Sequence, residues 1–286
     1  MIISIASGKG GTGKTTIATN LAFSLKTDTI LLDCDVEEPN AHLFLNPKFE
    51  KTEVVYTPVP KIDAQKCTLC GKCAEICRFN SIAVLQGTVL TFPELCHSCG
   101  GCVAVCSEKA VFETKRELGT IETGYSEHIR FVHGRIRIGE AMAPPLIRRV
   151  KDYIDKTKIN IIDAPPGTSC PVITAMKNTD FVLLVTEPTP FGLHDLILAI
   201  EAVKIFNIPC GLVINRSDMG DNRVKDYAKD SNIPILMEIP FERKIAEIYS
   251  KGELIASAMP EFKEKFLDLY RDISEIVQRS KKGCEN

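Results

Sequence analysis

Eight of the twelve cysteines fall into two runs of identical spacing, Cys67-x2-Cys70-x2-Cys73-x3-Cys77 and Cys96-x2-Cys99-x2-Cys102-x3-Cys106. Thiolates that close together wrap one face of a metal site, and they do so in a reducing compartment where disulfides do not persist. Tetrahedral zinc also uses Cys-x2-Cys pairs. Two repeated runs of four suit a pair of iron-sulfur centres better than zinc. The other cysteines, Cys34, Cys170, Cys210 and Cys284, are scattered and read as incidental or buried thiols. His42, His97, His128, His133 and His194 show no metal spacing. His97, inside the second run, reads as a neighbour that tunes its centre.

A second chemistry is written near the start. Gly8-Lys9-Gly10-Gly11-Thr12-Gly13-Lys14-Thr15 is a phosphate-binding loop, set between an apolar run and a helical segment that opens at Thr15-Thr16. Its glycines let backbone N–H groups converge on phosphate oxygens, and the helix N-terminus adds favourable partial charge. Lys14 is expected to reach the β- and γ-phosphates of ATP, and Thr15 to hold Mg²⁺. Asp163 ends the apolar run Ile159 to Ile162, where a carboxylate engages the same Mg²⁺.

Lys9 is not demanded by the general motif, and the loop that contains it resembles the deviant P-loop of the MinD/ParA/nitrogenase-iron-protein family. Asp33-Cys34-Asp35-Val36-Glu37-Glu38-Pro39-Asn40 resembles that family's switch I segment, and Asp163-Ala164-Pro165-Pro166-Gly167 its Mg²⁺ and switch II segment. The resemblance implies an ATPase that forms an ATP-dependent homodimer, with Lys9 crossing the interface. Without that crossing a monomer could hydrolyse ATP and Lys9 would be merely solvated. Asp35 is the candidate for orienting and deprotonating the attacking water, Asp33 supports the Mg²⁺ shell, and Gly167 N–H meets the γ-phosphate. Asn215, Pro240 and Phe241 look like the adenine pocket, although Asn215 could equally cap a turn.

The cysteine runs resemble bacterial ferredoxins, in which the fourth cysteine of each run serves the other cluster. That implies one [4Fe-4S] cluster on Cys67, Cys70, Cys73 and Cys106, and a second on Cys96, Cys99, Cys102 and Cys77. Arg78 and Ser107 stand where proline usually follows the last cysteine, but neither position supplies a metal bond. The combined resemblance points to a nucleotide switch that gates electron delivery to an unidentified redox or metallocofactor-assembly protein. The alternatives are an ATP-dependent carrier or scaffold for such cofactors, and a MinD-like spatial organiser whose clusters sense redox state.

These groups need a frame. Runs at Ile2 to Ala6, Thr29 to Leu32, Ile159 to Ile162, Phe181 to Thr186 and Gly211 to Ile214 read as buried parallel strands. Helical candidates lie at Lys14 to Leu25, Leu193 to Phe206 and Asp221 to Asp230. The alternation gives an α/β fold, a doubly wound mainly parallel sheet. A small α+β bacterial-ferredoxin-like insert interrupts it, so that residues 1–57 and 116–286 form the ATPase domain and 58–115 the insert. Ile129 to Ile138 reads as a hairpin turning at His133-Gly134, with Arg130, Arg135 and Arg137 on one face, solvated or docking an acidic redox partner.

Phe262, Phe266, Leu269, Ile273, Ile276 and Val277 recur at helical spacing. Their helix has a mixed polar face, which favours packing on the sheet over lipid. Lys+Arg 35 against Asp+Glu 37 gives a net charge of -2, so neither nucleic acid nor an anionic membrane is expected as partner, and no stable membrane insertion. No basic and apolar leader precedes the phosphate loop, so a cytoplasmic protein is expected.

Overall fold

The computed structural model describes residues 1–283, so Cys284 lies outside the described residues. Two compact units divide the chain. The first takes Met1–Thr52, Ile121–Arg135 and the chain from Ile147 onward; the second takes Glu53–Thr120 and Ile136–Leu146.

In chain order the elements are β1 (Ile2–Ala6), α1 (Lys14–Ser24), β2 (Thr29–Asp33), α2 (His42–Leu45), β3 (Lys48–Ile62), α3 (Lys72–Ile76), β4 (Ile82–Leu85) and β5 (Thr88–Thr91). After a short 3-10 turn at Pro93–Leu95 come α4 (Gly101–Ala104), β6 (Val111–Ser126), β7 (Ile129–Ile136), α5 (Pro144–Lys151), β8 (Ile159–Asp163), α6 (Cys170–Met176) and β9 (Phe181–Thr186). The chain ends through α7 (Pro190–Ile205), β10 (Cys210–Asn215), α8 (Arg223–Asp230), β11 (Ile235–Ile239), α9 (Arg243–Ser250), α10 (Ile255–Ala258) and α11 (Pro260–Gly283).

The main sheet has the order β11-β10-β9-β1-β8-β2-β7-β6-β3, and its neighbours run parallel from β11 through β7. Central strands in such a sheet are covered on both faces, which is why β2 and β9 are buried at every residue. The functional ends follow from the register: Ile5 pairs with Asp163, and Asp33 also pairs with Asp163. The carboxyl ends of β1, β2 and β8 therefore meet, and ligands bind there in open α/β sheets. The apolar stripe of α11 is buried at Phe262, Phe266, Leu269, Ile273 and Val277, and the helix packs on α1, α10 and β11. No helix among the described residues is long and apolar enough to cross a membrane.

One expectation is overturned. Ile129–Ile136 is a single strand, not a hairpin about His133-Gly134, and β7 runs parallel to β2 with Leu31 opposite Phe131 and Asp33 opposite His133. Phe131, Val132, His133 and Gly134 are all buried, so the glycine is a packing site rather than a turn. The turn comes before this strand, at Glu127-His128, where Glu127 takes φ 51° between β6 and β7. Nor do the three arginines share one solvated face: Arg130 is half-buried over the Tyr153 ring, 5.6 Å from its centroid.

In the second unit β4 and β5 form an antiparallel hairpin around Gly87. Cys73, Ile82 and Val111 make a small core, joined by Ile62, Val89, Cys102, Val103 and Cys106. So small a cluster supplies little burial energy of its own, which metal bound by its cysteines would supplement.

Candidate functional site

The phosphate loop joins β1 to α1 and turns at Gly13, whose φ of 99° a side chain rarely adopts. A Cβ there would also stand 2.6 Å from Asn215 Nδ2. That amide donates to Thr12 O at 2.9 Å, so the end of β10 clasps the loop. Beside the loop lies a cavity of about 450 Å³, the size of a small-ligand site. Its wall includes Gly10, Gly11, Gly13, Lys14, Thr15, Thr16, Asp35, Asn215, Pro240 and Phe241. Gly8, Lys9, Thr12 and Gly167 are not on it. Asn215 has spent its donor on Thr12 O and its Oδ1 accepts from Arg216 N–H, which leaves it holding the loop.

Four charged groups, Lys14, Asp33, Asp35 and Asp163, lie close together here, Lys14 and Asp35 on the cavity wall. Thr15 Oγ1 donates to Asp163 Oδ2 at 2.6 Å, while Asp163 Oδ1 is buried without a partner. An orphaned carboxylate oxygen beside a threonine hydroxyl is a donor set that fits Mg²⁺. Asp33 is fully buried and collects the N–H groups of Asp35, Asn40 and Ala41 at 3.0 to 3.1 Å. Asp33 thus shapes the loop from Asp35 to Ala41 besides facing Asp163. Burial, then repulsion from Asp163, pushes the Asp33 carboxyl well above its usual range. Burial likewise raises Asp163 and lifts Asp35 to about 6, against the pull of Lys14. Lys14, only 7% exposed, has its ammonium pKa lowered by desolvation, which Asp163, Asp35 and Asp33 oppose.

A pH dependence follows. A raised carboxyl pKa means that the folded, metal-free chain holds protons the unfolded chain releases near pH 4. The stability contributed by protonated Asp35 is therefore complete below about pH 4 and is lost as pH rises toward about 6. Asp35→Asn should flatten that part of the thermal-midpoint profile in metal-free protein. Identical slopes for the two proteins between about pH 4 and 6 would contradict the assignment.

Lys9 Nζ lies 3.5 Å from Glu187 Oε2, and Arg216 Nη1 lies 2.6 Å from Glu187 Oε1. Glu187 was not singled out from sequence, although its place just past the carboxyl end of β9 was the available signal. Also missed were Ile245, Ala246 and Tyr249 of α9, which line the cavity beside Phe241. The amphipathic pattern after Pro240 could have shown them. Gly167, with φ 99°, donates its N–H to Ser7 O at 3.0 Å.

In the second unit, two further cavities sort the cysteines. One is lined by Cys67, Cys70, Cys73 and Cys106, the other by Cys77, Cys96, Cys99 and Cys102. Among the described residues no three metal-ligating side chains already surround a common ion position. The donor chemistry of each cavity, four free thiols with Glu108 also on one wall and His97 and Glu113 on the other, suits iron-sulfur or zinc coordination. His97 stacks on Phe79 beside the second cavity, ring centroids 3.6 Å apart.

Comparison with known proteins agrees with the first unit's geometry. A family model described as the CobQ/CobB/MinD/ParA nucleotide binding domain matches residues 3–255. An uncharacterised protein of Methanocaldococcus jannaschii is 33% identical over 97% of this chain and 98% of its own. An iron-sulfur cluster carrier protein of Aquifex aeolicus is 25% identical over 97% of this chain and 68% of its own. The septum site-determining protein MinD of Pyrococcus horikoshii, solved with Mg-ADP, superposes with a TM-score of 0.58 at 21% identity, covering 98% of both chains. The phosphate loop between β1 and α1, the carboxylates at the ends of β2 and β8, and the extent of the match together place this chain in the CobQ/CobB/MinD/ParA family of nucleotide-binding proteins.

Proposed function

We propose that this chain is a Mg²⁺-dependent ATPase of the MinD/ParA type carrying a ferredoxin-like insert, residues 58–115, with two [4Fe-4S] clusters. Its nucleotide state gates electron delivery to a partner metalloprotein or metallocofactor-assembly system. The observation that carries the reading is the sorting of eight thiols into two cavities, each holding three cysteines of one run and the last of the other. Such sharing suits four-iron centres of the ferredoxin kind. When bound, the clusters supply one-electron storage and release.

The protein's own groups divide the remaining work. Loop N–H groups and Lys14 hold the triphosphate; Thr15, Asp163 and Asp33 are placed to hold Mg²⁺. Asp35, ionised above about pH 6, orients the attacking water and accepts its proton. Gly167 must give up Ser7 O before its N–H can reach a γ-phosphate, so switch II has two alternative partners. Switch I starts the stretch of chain that leads into the insert, and β8 with Asp163 closes it.

Lys9 has an intramolecular partner in Glu187 and must leave it to serve a second subunit. Lys9→Ala is expected to abolish ATP-driven dimerisation; light scattering that still shows an ATP-dependent dimer would defeat the trans role. The whole reading is tested anaerobically with dithionite-reduced protein and oxidised methyl viologen as acceptor. Reoxidation should change rate with MgATP and not with MgADP, and a rate indifferent to nucleotide would remove the gating.

A carrier function is the second reading. It is favoured by relatives named iron-sulfur cluster carrier protein in Aquifex aeolicus and iron-sulfur cluster transfer protein in Dictyostelium discoideum. A carrier would pass ⁵⁷Fe label to an apo-ferredoxin, whereas an electron-transfer protein keeps it.

A further inference from the structure

A shift of 29 residues, which carries Cys67 to Cys96 and Cys77 to Cys106, relates more than the cysteines. Leu69 and Ser98 have φ of 59° and 56°, and Asn80 and Lys109 have φ of 53° and 51°. Ile82 and Val111 are both buried in the unit's core. In each half the N–H four residues past the last cysteine donates to its sulfur: Ser81 N to Cys77 Sγ at 3.4 Å, and Ala110 N to Cys106 Sγ at 3.2 Å.

Two contacts break the equivalence, the first being the Ser98 N–H, which donates to Cys96 Sγ at 3.4 Å. The second is Ser81 Oγ, which lies 3.1 Å from Cys77 Sγ, where Ala110 offers only a methyl group. Ser81 is 3% exposed, so its hydroxyl has little water to turn to. Through Cys77 this contact belongs to the cavity of Cys96, Cys99 and Cys102 and not to the other.

We infer that Ser81 is a positioning residue that makes the two metal centres unequal, its hydroxyl raising the reduction potential of the one held by Cys77, Cys96, Cys99 and Cys102. This rests on the cluster assignment proposed above. A metal-bound thiolate has no proton, so in that state the hydroxyl must be the donor. Negative charge on the sulfur is greater in the reduced form, and a donor there stabilises reduced over oxidised. A neutral hydroxyl fixed beside the sulfur acts at full strength. Glu113, the charged side chain on the same wall, is exposed and its opposing effect is screened.

The test is an EPR-monitored redox titration of the anaerobically purified full chain, with iron and sulfide analysis. Ser81→Ala should lower one of two potentials by about 59 mV, a tenfold change in the one-electron ratio, and leave the other in place. Ser81→Thr should restore it, and Ala110→Ser should raise the second potential. Unchanged potentials in Ser81→Ala at full iron content would overturn the inference while leaving the cluster assignment standing. If Ser81→Ala loses iron, Ala110→Ser decides: a raised second potential supports the role and an unchanged one refutes it. Wild-type protein without iron or sulfide would remove the cluster assignment and the inference together.

Discussion

Lys14→Ala is expected to lower ATP hydrolysis about 10³-fold or more while iron and sulfide stay at the wild-type level. The size follows from the surroundings. The Lys14 ammonium is buried and faces the carboxylates of Asp163, Asp35 and Asp33, and without it three like charges and a triphosphate would share one low-dielectric site. Mg²⁺ can offset part of this charge, but it cannot replace a donor reaching the β- and γ-phosphates. The metal content should not follow, because the thiols line different cavities, built entirely from the second unit. Measuring phosphate release beside iron per chain decides the matter. Parallel loss of both would mean the two chemistries are not separable.

Pairing cysteine substitutions across the runs should give a second large effect. Cys70→Ser and Cys106→Ser line the same cavity, so each alone and both together should cost about four irons per chain. Cys70→Ser with Cys77→Ser strikes both cavities although both residues belong to one run, and should remove about eight. If the ligands followed the sequence instead, Cys70 with Cys77 would behave as one site and Cys70 with Cys106 as two. Four irons retained by the Cys70/Cys77 variant, with none left in the Cys70/Cys106 variant, would refute the exchange. Zinc in place of iron in the wild-type protein would refute the cluster assignment itself.

Much of the nucleotide site was legible because its signals are local. The glycine loop, the buried runs of β1, β2, β8, β9 and β10, and the aspartates that end β2 and β8 are each a few residues long, and the strands form where those runs stand. Gly134 misled because glycine usually breaks a strand pattern, yet here it sits in a strand whose neighbours Val132 and His133 are buried too. Two-sided burial erases the alternation that would have exposed the error. Glu187 and Ser81 could not be read at all: each matters because of an atom brought close by the fold, Lys9 Nζ in one case and Cys77 Sγ in the other. The fate of Asn215 was hidden for the same reason, since its partner Thr12 is 203 positions away.

The long excursion between β2 and β7 leaves and re-enters the first unit at neighbouring strands. Gly124 comes so close to the Lys48 carbonyl that a Cβ there would collide with it. Chain ends pinned side by side make the entropy of closing the intervening segment grow only logarithmically with its length. The nucleotide core can therefore host accessories of very different size at this point for nearly the same thermodynamic penalty, so one scaffold can acquire or shed a whole module without being redesigned.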